Sequence, residues 1–240
     1  MKSGQKKVLL CGYGNMGKTL AHELSDREWS FIVLDNDRKQ IEAAYKDGIL
    51  DAIEVDLTDE KSLQEQGVGR DVHAIFCVTN DEAVNLFVTL IARSLDPHLI
   101  IIARSVDEQS KKKLYLAGAN KVIDPYDLAS HRIASLLKKP TTLDVIDNII
   151  FKTNVELGDS DVNIAEVLIP DGSLLSGCYL KDIAFRRDYH LLVIGLLDKE
   201  LGNKFIFNAS GYNHKIDAGD MLVVLGRKKD IQKFEEVVCG

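Results

Sequence analysis

Val8-Leu9-Leu10-Cys11-Gly12-Tyr13-Gly14-Asn15-Met16-Gly17-Lys18-Thr19-Leu20 is the stretch whose reading decides the fold. Four apolar residues in a row, closed by a glycine, predict a strand buried on both faces. The glycines then fall in the spacing G-x-G-x-x-G, and Leu20, Ala21 and Leu24 continue at helical intervals. In such a turn Gly12 permits the sharp reversal and Gly14 lets the backbone approach a pyrophosphate. Gly17 lets the helix lie close on the strand. The unpaired amides and positive dipole end of that helix would then face phosphate oxygens.

The spacing alone is a weak signal, and Phe31-Ile32-Val33-Leu34-Asp35 strengthens it. This is a second buried strand ending in a carboxylate about 20 residues after the glycines, as a dinucleotide fingerprint requires. Asp35 can accept hydrogen bonds from both ribose hydroxyls of an adenosine, whereas a 2′-phosphate there would meet like charge. NAD or NADH, AMP, ADP or ATP are therefore expected over NADP, with Arg38 close by as the one residue that softens the preference. The competing reading is a Rossmann turn that has lost its ligand.

Outward from this pair, strands and helices alternate. A helix over Arg38 to Lys46 is closed by Gly48. A short strand, 52–55, ends at Asp56, and Thr58 is expected to cap the next helix. Asp56 is either a contact for an adenine ring or an ordinary turn residue. Val72 to Val78 reads as a fourth strand, followed by Thr79-Asn80-Asp81, polar residues where an open α/β sheet places ligand contacts. The helix from Glu82 to Leu95 is expected to bury Val84, Phe87, Val88 and Ile91 and to stop before Pro97. Leu99 to Ala103 is the fifth strand. It leads to Arg104, either a phosphate or carboxylate binder or the partner of Asp107 or Glu108 in a surface ion pair. A helix over 109–116 ends at Gly118, and Lys121-Val122-Ile123 is a short last strand. The alternation predicts an α/β fold, a Rossmann-like doubly wound parallel sheet in the order 3-2-1-4-5-6.

Asp124-Pro125 opens a further helix, to about Lys138, with an apolar stripe of Leu128, Ala129, Ile133, Leu136 and Leu137. The stripe is either a dimer interface or packing on its own domain. Lys138-Lys139-Pro140-Thr141-Thr142 is the expected hinge, dividing a domain 1–140 from one at 141–240, and Leu143 to Ile150 reads as helical. Beyond it come short apolar strands, Val162 to Ile169, Leu191 to Leu197, Phe205 to Phe207 and Met221 to Leu225, separated by Gly- and Asp-rich turns. With a short helix at Leu180 to Phe185 and a final one at Asp230 to Val238, they predict a second, smaller α+β C-terminal domain.

The bulk numbers narrow the function. A chain of 240 residues with 45% hydrophobic and 28% charged residues has the composition of a globular protein. Its net charge of −7 argues against nucleic acid or an anionic membrane surface as the main partner. The basic runs Lys111-Lys112-Lys113 and Arg227-Lys228-Lys229 read as solvated helix faces. No run approaches the roughly 18 apolar residues of a transmembrane helix, and the first residues lack the apolar core of a signal peptide. Cys11, Cys77, Cys178 and Cys239 show no C-x-x-C spacing. Cys11 and Cys77, in interior strands, are expected to be buried thiols, which fits a reducing cytosolic compartment.

Taken together these blocks resemble the RCK proteins, the regulators of potassium conductance also called TrkA-type or KTN proteins. The first part resembles their N-terminal nucleotide-binding domain in Gly12 to Gly17, Asp35, Val55-Asp56, Val78-Thr79-Asn80-Asp81-Glu82 with Asn85, and Ile101-Ile102-Ala103-Arg104. The second resembles their C-terminal domain in Ser176 to Ile183 and Ala218 to Gly226. The resemblance implies a cytoplasmic homodimer assembling into an octameric ring at the inner face of the membrane. There it would gate a membrane-embedded potassium channel or transporter pore through bound nucleotide and, in some members, a divalent cation such as Ca or Mg. By this resemblance Gly12, Gly14 and Gly17 hold phosphates, Asp35 the ribose and Asp56 the adenine, while Thr79, Asn80 and Arg104 line the remaining wall. Asn15, Met16, Asn36, Arg38 and Leu57 complete the assigned site. Members that sense the third phosphate of ATP often carry Arg where this chain has Asn15, which inclines the expectation toward NAD(H) or a mono- or diphosphate. The missing pore implies a separate subunit or a start downstream of channel helices.

Two rivals belong to other classes. An NAD-dependent oxidoreductase needs an acid–base residue beside the nicotinamide. His22, His73, His98, His131, His190 and His214 are scattered, and His190 and His214 are expected to have no nearby partner. A divalent-cation sensor would draw on Asp159, Asp161 and Glu166, or on Asp182 with Asp188. None has an identifying spacing, so no metal ligand is assigned. No catalytic residue is expected.

Overall fold

The computed structural model describes residues 7–138, 162–202, 204–208 and 213–239. The chain divides into two compact units, Met1–Ala134 and Ser135–Gly240. The expected division at residue 140, the hinge at 139–142 and the helix at 143–150 lie outside the described residues.

In the first unit six strands, β1 (Lys7–Cys11), β2 (Phe31–Asp35), β3 (Ala52–Glu54), β4 (Val72–Cys77), β5 (Ile100–Arg104) and β6 (Lys121–Ile123), form one parallel sheet in the order β3-β2-β1-β4-β5-β6. Between and after them run α1 (Asn15–Asp26), α2 (Arg38–Lys46), α3 (Glu60–Glu65), α4 (Glu82–Leu95), α5 (Glu108–Leu116) and α6 (Pro125–Lys138). Alternate strand residues point to opposite faces, so the unbroken apolar runs of β1 and β4 feed two cores. Val8, Leu10, Val33 and Ala74 pack with Ala21 and Leu24 of α1 and Ile41 and Ala44 of α2. On the other face Leu9, Cys11, Ile75, Cys77 and Ile101 pack with Leu63 of α3, Val88 and Ala92 of α4 and Leu114 of α5.

Two expectations need correction here, and one open alternative narrows. Asp59, not Thr58, caps α3, its carboxylate accepting from the Ser62 amide at 2.9 Å. Thr58 instead closes a turn with Asp56. On α4 three expected positions do face the core, Val88 buried and Val84 and Ile91 partly so, but Phe87 is 54% exposed, and Asn85, Thr89 and Ala92 are buried as well. A polar network around Asn85 widens the buried side on the flank away from Phe87. On α6, Leu128, Ala129, Ile133 and Leu136 are exposed, so the described part of its own unit does not cover the stripe.

The second unit holds β7 (Val162–Leu168), a 3-10 turn (Leu180–Asp182), α7 (Phe185–Asp188), β8 (Leu192–Asp198), β9 (Lys204–Phe207), β10 (Met221–Arg227) and α8 (Lys228–Cys239). Its four strands pair antiparallel in the order β7-β10-β8-β9. Ile231, Phe234 and Val238 of α8 close one face over Val167, Val193, Leu196, Leu222 and Val224. Tyr189 and Phe234 meet edge-on at 4.9 Å between ring centroids. The helix expected over Leu180 to Phe185 is two separate pieces, because Ile183 between them is extended.

Candidate nucleotide-binding site

The three glycines of the first turn do different work. Gly12 sits at φ +104°, where side-chain-bearing residues are strained, and a Cβ there would meet the Thr79 backbone at 2.8 Å. A Cβ on Gly17 would land on the Gly12 carbonyl oxygen, so the contact of α1 with the turn depends on its absence. Gly14 is unlike both. Its φ of −69° and ψ of −166° are open to any residue. The nearest atom to an added Cβ would be the Asn80 amide nitrogen at 3.1 Å, the movable end of a side chain.

Gly14 is also the N-cap of α1 and supplies no side chain to its first turn. The first amide to bond back is that of Lys18, to the Gly14 carbonyl at 2.9 Å. The amides of Asn15, Met16 and Gly17 thus lack intrahelical acceptors and lie at the positive end of the helix dipole.

Asp35, at the end of β2, is only 6% exposed. Its two oxygens are fixed separately: Oδ2 accepts from the Tyr13 amide at 2.7 Å and Oδ1 from the Asp37 amide at 2.9 Å. The carboxylate is therefore locked to the glycine turn, and each oxygen keeps lone pairs for further donors. The Tyr13 ring is buried, and its hydroxyl donates to Asp47 Oδ2 at 3.0 Å. Burial first, then that hydrogen bond, pushes the phenol up to about 12, so it stays protonated at neutral pH. Lys18 Nζ lies 3.5 Å from the same Asp47 oxygen.

Across the β1–β4 boundary, where the strand order reverses, Asn85 organises the other wall. Its Oδ1 accepts from the amide of Thr79 at 2.9 Å and from its hydroxyl at 2.8 Å. Its Nδ2 donates to the Thr79 and Arg104 carbonyls at 3.1 and 3.3 Å. Arg104 Nη1 in turn donates to the Thr79 carbonyl at 3.0 Å and to Asn80 Oδ1 at 2.8 Å. The surface ion pair with Asp107 or Glu108 does not form: Asp107 caps α5, and Glu108 faces Lys111 at 3.6 Å. Arg104 Nε is buried with no hydrogen-bond partner. Leaving a buried donor unpaired is costly.

The parallel sheet thus brings Gly12, Gly14 and Gly17, Asp35, Thr79, Asn80 and Arg104 to one edge. The remaining residues sit more loosely there. Asn15, Asn36 and Arg38 are exposed, and Arg38 pairs with Glu42 at 3.3 Å, an exposed pair of small energetic weight. Asp56 accepts from the Thr58 hydroxyl at 2.7 Å and its amide at 2.9 Å, which lowers its pKa. Met16 is half-buried, and Leu57 is buried in the core. Sequence reasoning gave no role to Asn85 beyond a motif match, nor to the Tyr13–Asp47 bond. One signal was available for the first: an amide and a hydroxyl, Asn85 and Thr89, four apart in an otherwise apolar helix.

These features fit a nucleotide. Bare amides at α1 suit phosphate oxygens, Gly14 leaves room for them, Asp35 offers acceptors for ribose hydroxyls, and Arg104 holds an unused donor. Among the described residues no group of three or more His, Cys, Asp or Glu side chains is placed to hold a metal ion, and Asp188 is engaged by Arg187 at 2.7 Å. Asp159 and Asp161 lie outside the described residues. His214 corrects an expectation: its Nε2 meets Asp198 Oδ2 at 2.7 Å, with both side chains largely buried. Burial raises Cys11 well above the usual thiol value and Cys77 to about 12, so neither is a ready nucleophile.

Fold and site define a Rossmann-type nucleotide-binding unit joined in sequence to a small α+β unit. Residues 8–125 match the TrkA-N domain and residues 164–238 the TrkA-C domain; the chain belongs to the RCK, or TrkA-type, family of potassium-transport proteins. It is similar to potassium channel protein 1 of Methanocaldococcus jannaschii, at 26% identity over all of this chain and 69% of that protein. The Ktr system potassium uptake protein A of Bacillus subtilis is 24% identical over 96% of both chains. A solved structure of the GsuK channel shares the fold, with a TM-score of 0.50 and 18% identity over 98% of this chain. This chain spans 39% of that channel chain, under half its length. Among the described residues no helix is long and apolar enough to cross a membrane.

Proposed function

We propose that this chain is a ligand-sensing regulatory unit that gates a potassium channel or transporter pore. Its signal is an adenine nucleotide lacking a 2′-phosphate, NAD(H) first and AMP, ADP or ATP next, seated on the bare start of α1. Gly14 is the observation that carries this reading. The backbone does not require glycine there, and a capping residue would stabilise the helix. What glycine preserves is access to the amides of Asn15, Met16 and Gly17.

When bound, the nucleotide supplies a charge and a shape, with no chemistry asked of it. Asp35 orients the ribose and discriminates against a 2′-phosphate, and Asp56 stands near the adenine. Asn80 and Arg104, which bond to each other, respond to the phosphates and link the ends of β4 and β5. A ligand shifts the pore only by its unequal affinity for two conformations, each tenfold difference being worth about 1.4 kcal/mol. The exposed stripe on α6 supports a homodimer, which would assemble into a ring at the cytoplasmic face of the membrane and multiply that effect. A divalent cation remains part of the proposal only as a second effector.

Thermal unfolding with NAD, NADH, NADP, AMP, ADP and ATP tests the nucleotide assignment. A ligand at 100 times its Kd stabilises the folded state by about 2.7 kcal/mol. NAD or NADH is expected to raise Tm and NADP to leave it unchanged. A shift with NADP alone contradicts the role given to Asp35, and steady hydride transfer to any substrate contradicts the regulatory reading.

A further inference from the structure

One side chain stands over Gly14. From where a Cβ on Gly14 would sit, the Asn80 carboxamide lies at 3.1 Å through Nδ2 and at 3.6 Å through both Cγ and Oδ1. The whole amide group therefore rests against the glycine at which a G-x-G-x-x-G turn lets a pyrophosphate approach the backbone.

The backbone on either side of Asn80 is pinned. Thr79 is tied by its amide and hydroxyl to Asn85 Oδ1, and the Asp81 carboxylate accepts from the amides of Ala83 and Val84. The Asn80 side chain, on an exposed residue, is held among the described residues by one hydrogen bond, which its Oδ1 accepts from Arg104 Nη1 at 2.8 Å. Arg104 is the better anchored of the two. The same Nη1 donates to the Thr79 carbonyl at 3.0 Å, and the Arg104 carbonyl accepts from Asn85 Nδ2 at 3.3 Å. Its Nε is buried and has no hydrogen-bond partner. A guanidinium matches two oxygens of a phosphoryl group with two donors, a pairing that one amide oxygen cannot offer.

We infer that Asn80 is an internal competitor of the nucleotide's diphosphate. Its carboxamide covers Gly14, its Oδ1 holds Arg104 in place of a phosphoryl oxygen, and a ligand with two linked phosphates displaces it and takes over the guanidinium. This rests on the nucleotide reading of the glycine turn and adds what that site responds to. An adenosine without phosphates reaches Asp35 and leaves the Asn80–Arg104 bond intact. A diphosphate exchanges that side-chain link between the ends of β4 and β5 for one that runs through the ligand. The binding-competent state has Asn80 swung away, so the measured dissociation constant for a diphosphate rises as that state becomes rarer.

Calorimetric titration of ADP, NAD and adenosine into the full chain and into Asn80→Ala tests this. Removing the competitor should tighten ADP and NAD by about twofold to tenfold, the net worth of one hydrogen bond, and leave adenosine unchanged. Asn80→Asp, whose carboxylate pairs with Arg104 and repels phosphate, should weaken both by about tenfold or more. Asn80 is exposed, so both variants should fold. In nitrogen-15 NMR spectra the Arg104 Nε–H resonance, assigned by its loss in Arg104→Lys, should move with ADP and stay in place with adenosine. If Asn80 instead contacts the bound ligand, Asn80→Ala weakens ADP and NAD, which overturns the inference and leaves the nucleotide site standing. Unchanged affinity for ADP and NAD, or an Arg104 signal that adenosine moves as ADP does, overturns it as well. Failure of all three to bind either protein overturns the nucleotide site and the inference with it.

Discussion

Five helices of the first unit, α2 to α6, begin on an aspartate whose carboxylate accepts from first-turn amides: Asp37, Asp59, Asp81, Asp107 and Asp124. The sixth, α1, begins on Gly14 and receives no side-chain cap. The same chain solves one problem, orphan amides at a helix start, in two ways. Where a carboxylate closes the helix, the amides serve stability. Where glycine stands, no side chain of the cap closes them, and the helix forgoes roughly a few tenths of a kcal/mol of capping.

Substitutions can break or sharpen that contrast. The largest effect is expected at Gly17, whose Cβ in Gly17→Ala would collide with the Gly12 carbonyl. Overpacking of this kind destabilises by about 1–3 kcal/mol, measurable as a lowered urea midpoint, and it should also weaken nucleotide binding by displacing α1. Next is Asp35→Ala, which strips the acceptors from the Tyr13 and Asp37 amides and removes the ribose contact. Calorimetry should find NAD binding lost, with about 1–3 kcal/mol of stability gone for the unpaired amides.

Gly14→Asp should reverse the usual sign. A new cap for α1 is expected to raise or hold stability while weakening nucleotide binding at least about tenfold, because a carboxylate occupies the amides and repels phosphate. Asp81→Ala, by contrast, should lower stability by about 1 kcal/mol. The smallest effect is on pH dependence. Asp59 and Asp107 have pKa values lowered mainly by hydrogen bonds from Ser62 and Ser110. Their stabilisation is present above the ordinary carboxylate pKa and is lost as pH falls through the lowered folded values. Asp59→Asn should flatten that acid limb slightly in chemical denaturation.

The contrast also explains what was legible in the sequence. Strand order, the tight turn at Gly12, the close approach at Gly17 and the position of Asp35 follow from spacing and unbroken apolar runs, which are local properties. That α4 buries Asn85 and leaves Phe87 outside was not legible, because Asn85 is held by partners 6 and 19 residues away, Thr79 and Arg104. An apolar count naturally placed Phe87 inside instead. Thr58 was misassigned as a cap because Asp56, Thr58 and Asp59 are all turn-forming residues, and only the backbone path decides between them. His214 meets Asp198 at the end of β8, a pairing no spacing reveals.

Backbone amide NMR gives the most direct test of the central claim. On addition of NAD, the amide resonances of Asn15, Met16 and Gly17 should move in a saturable way, while those of the aspartate-capped first turns of α3 and α5 stay in place. Saturable binding of NAD that leaves the three α1 amides unmoved would contradict the account.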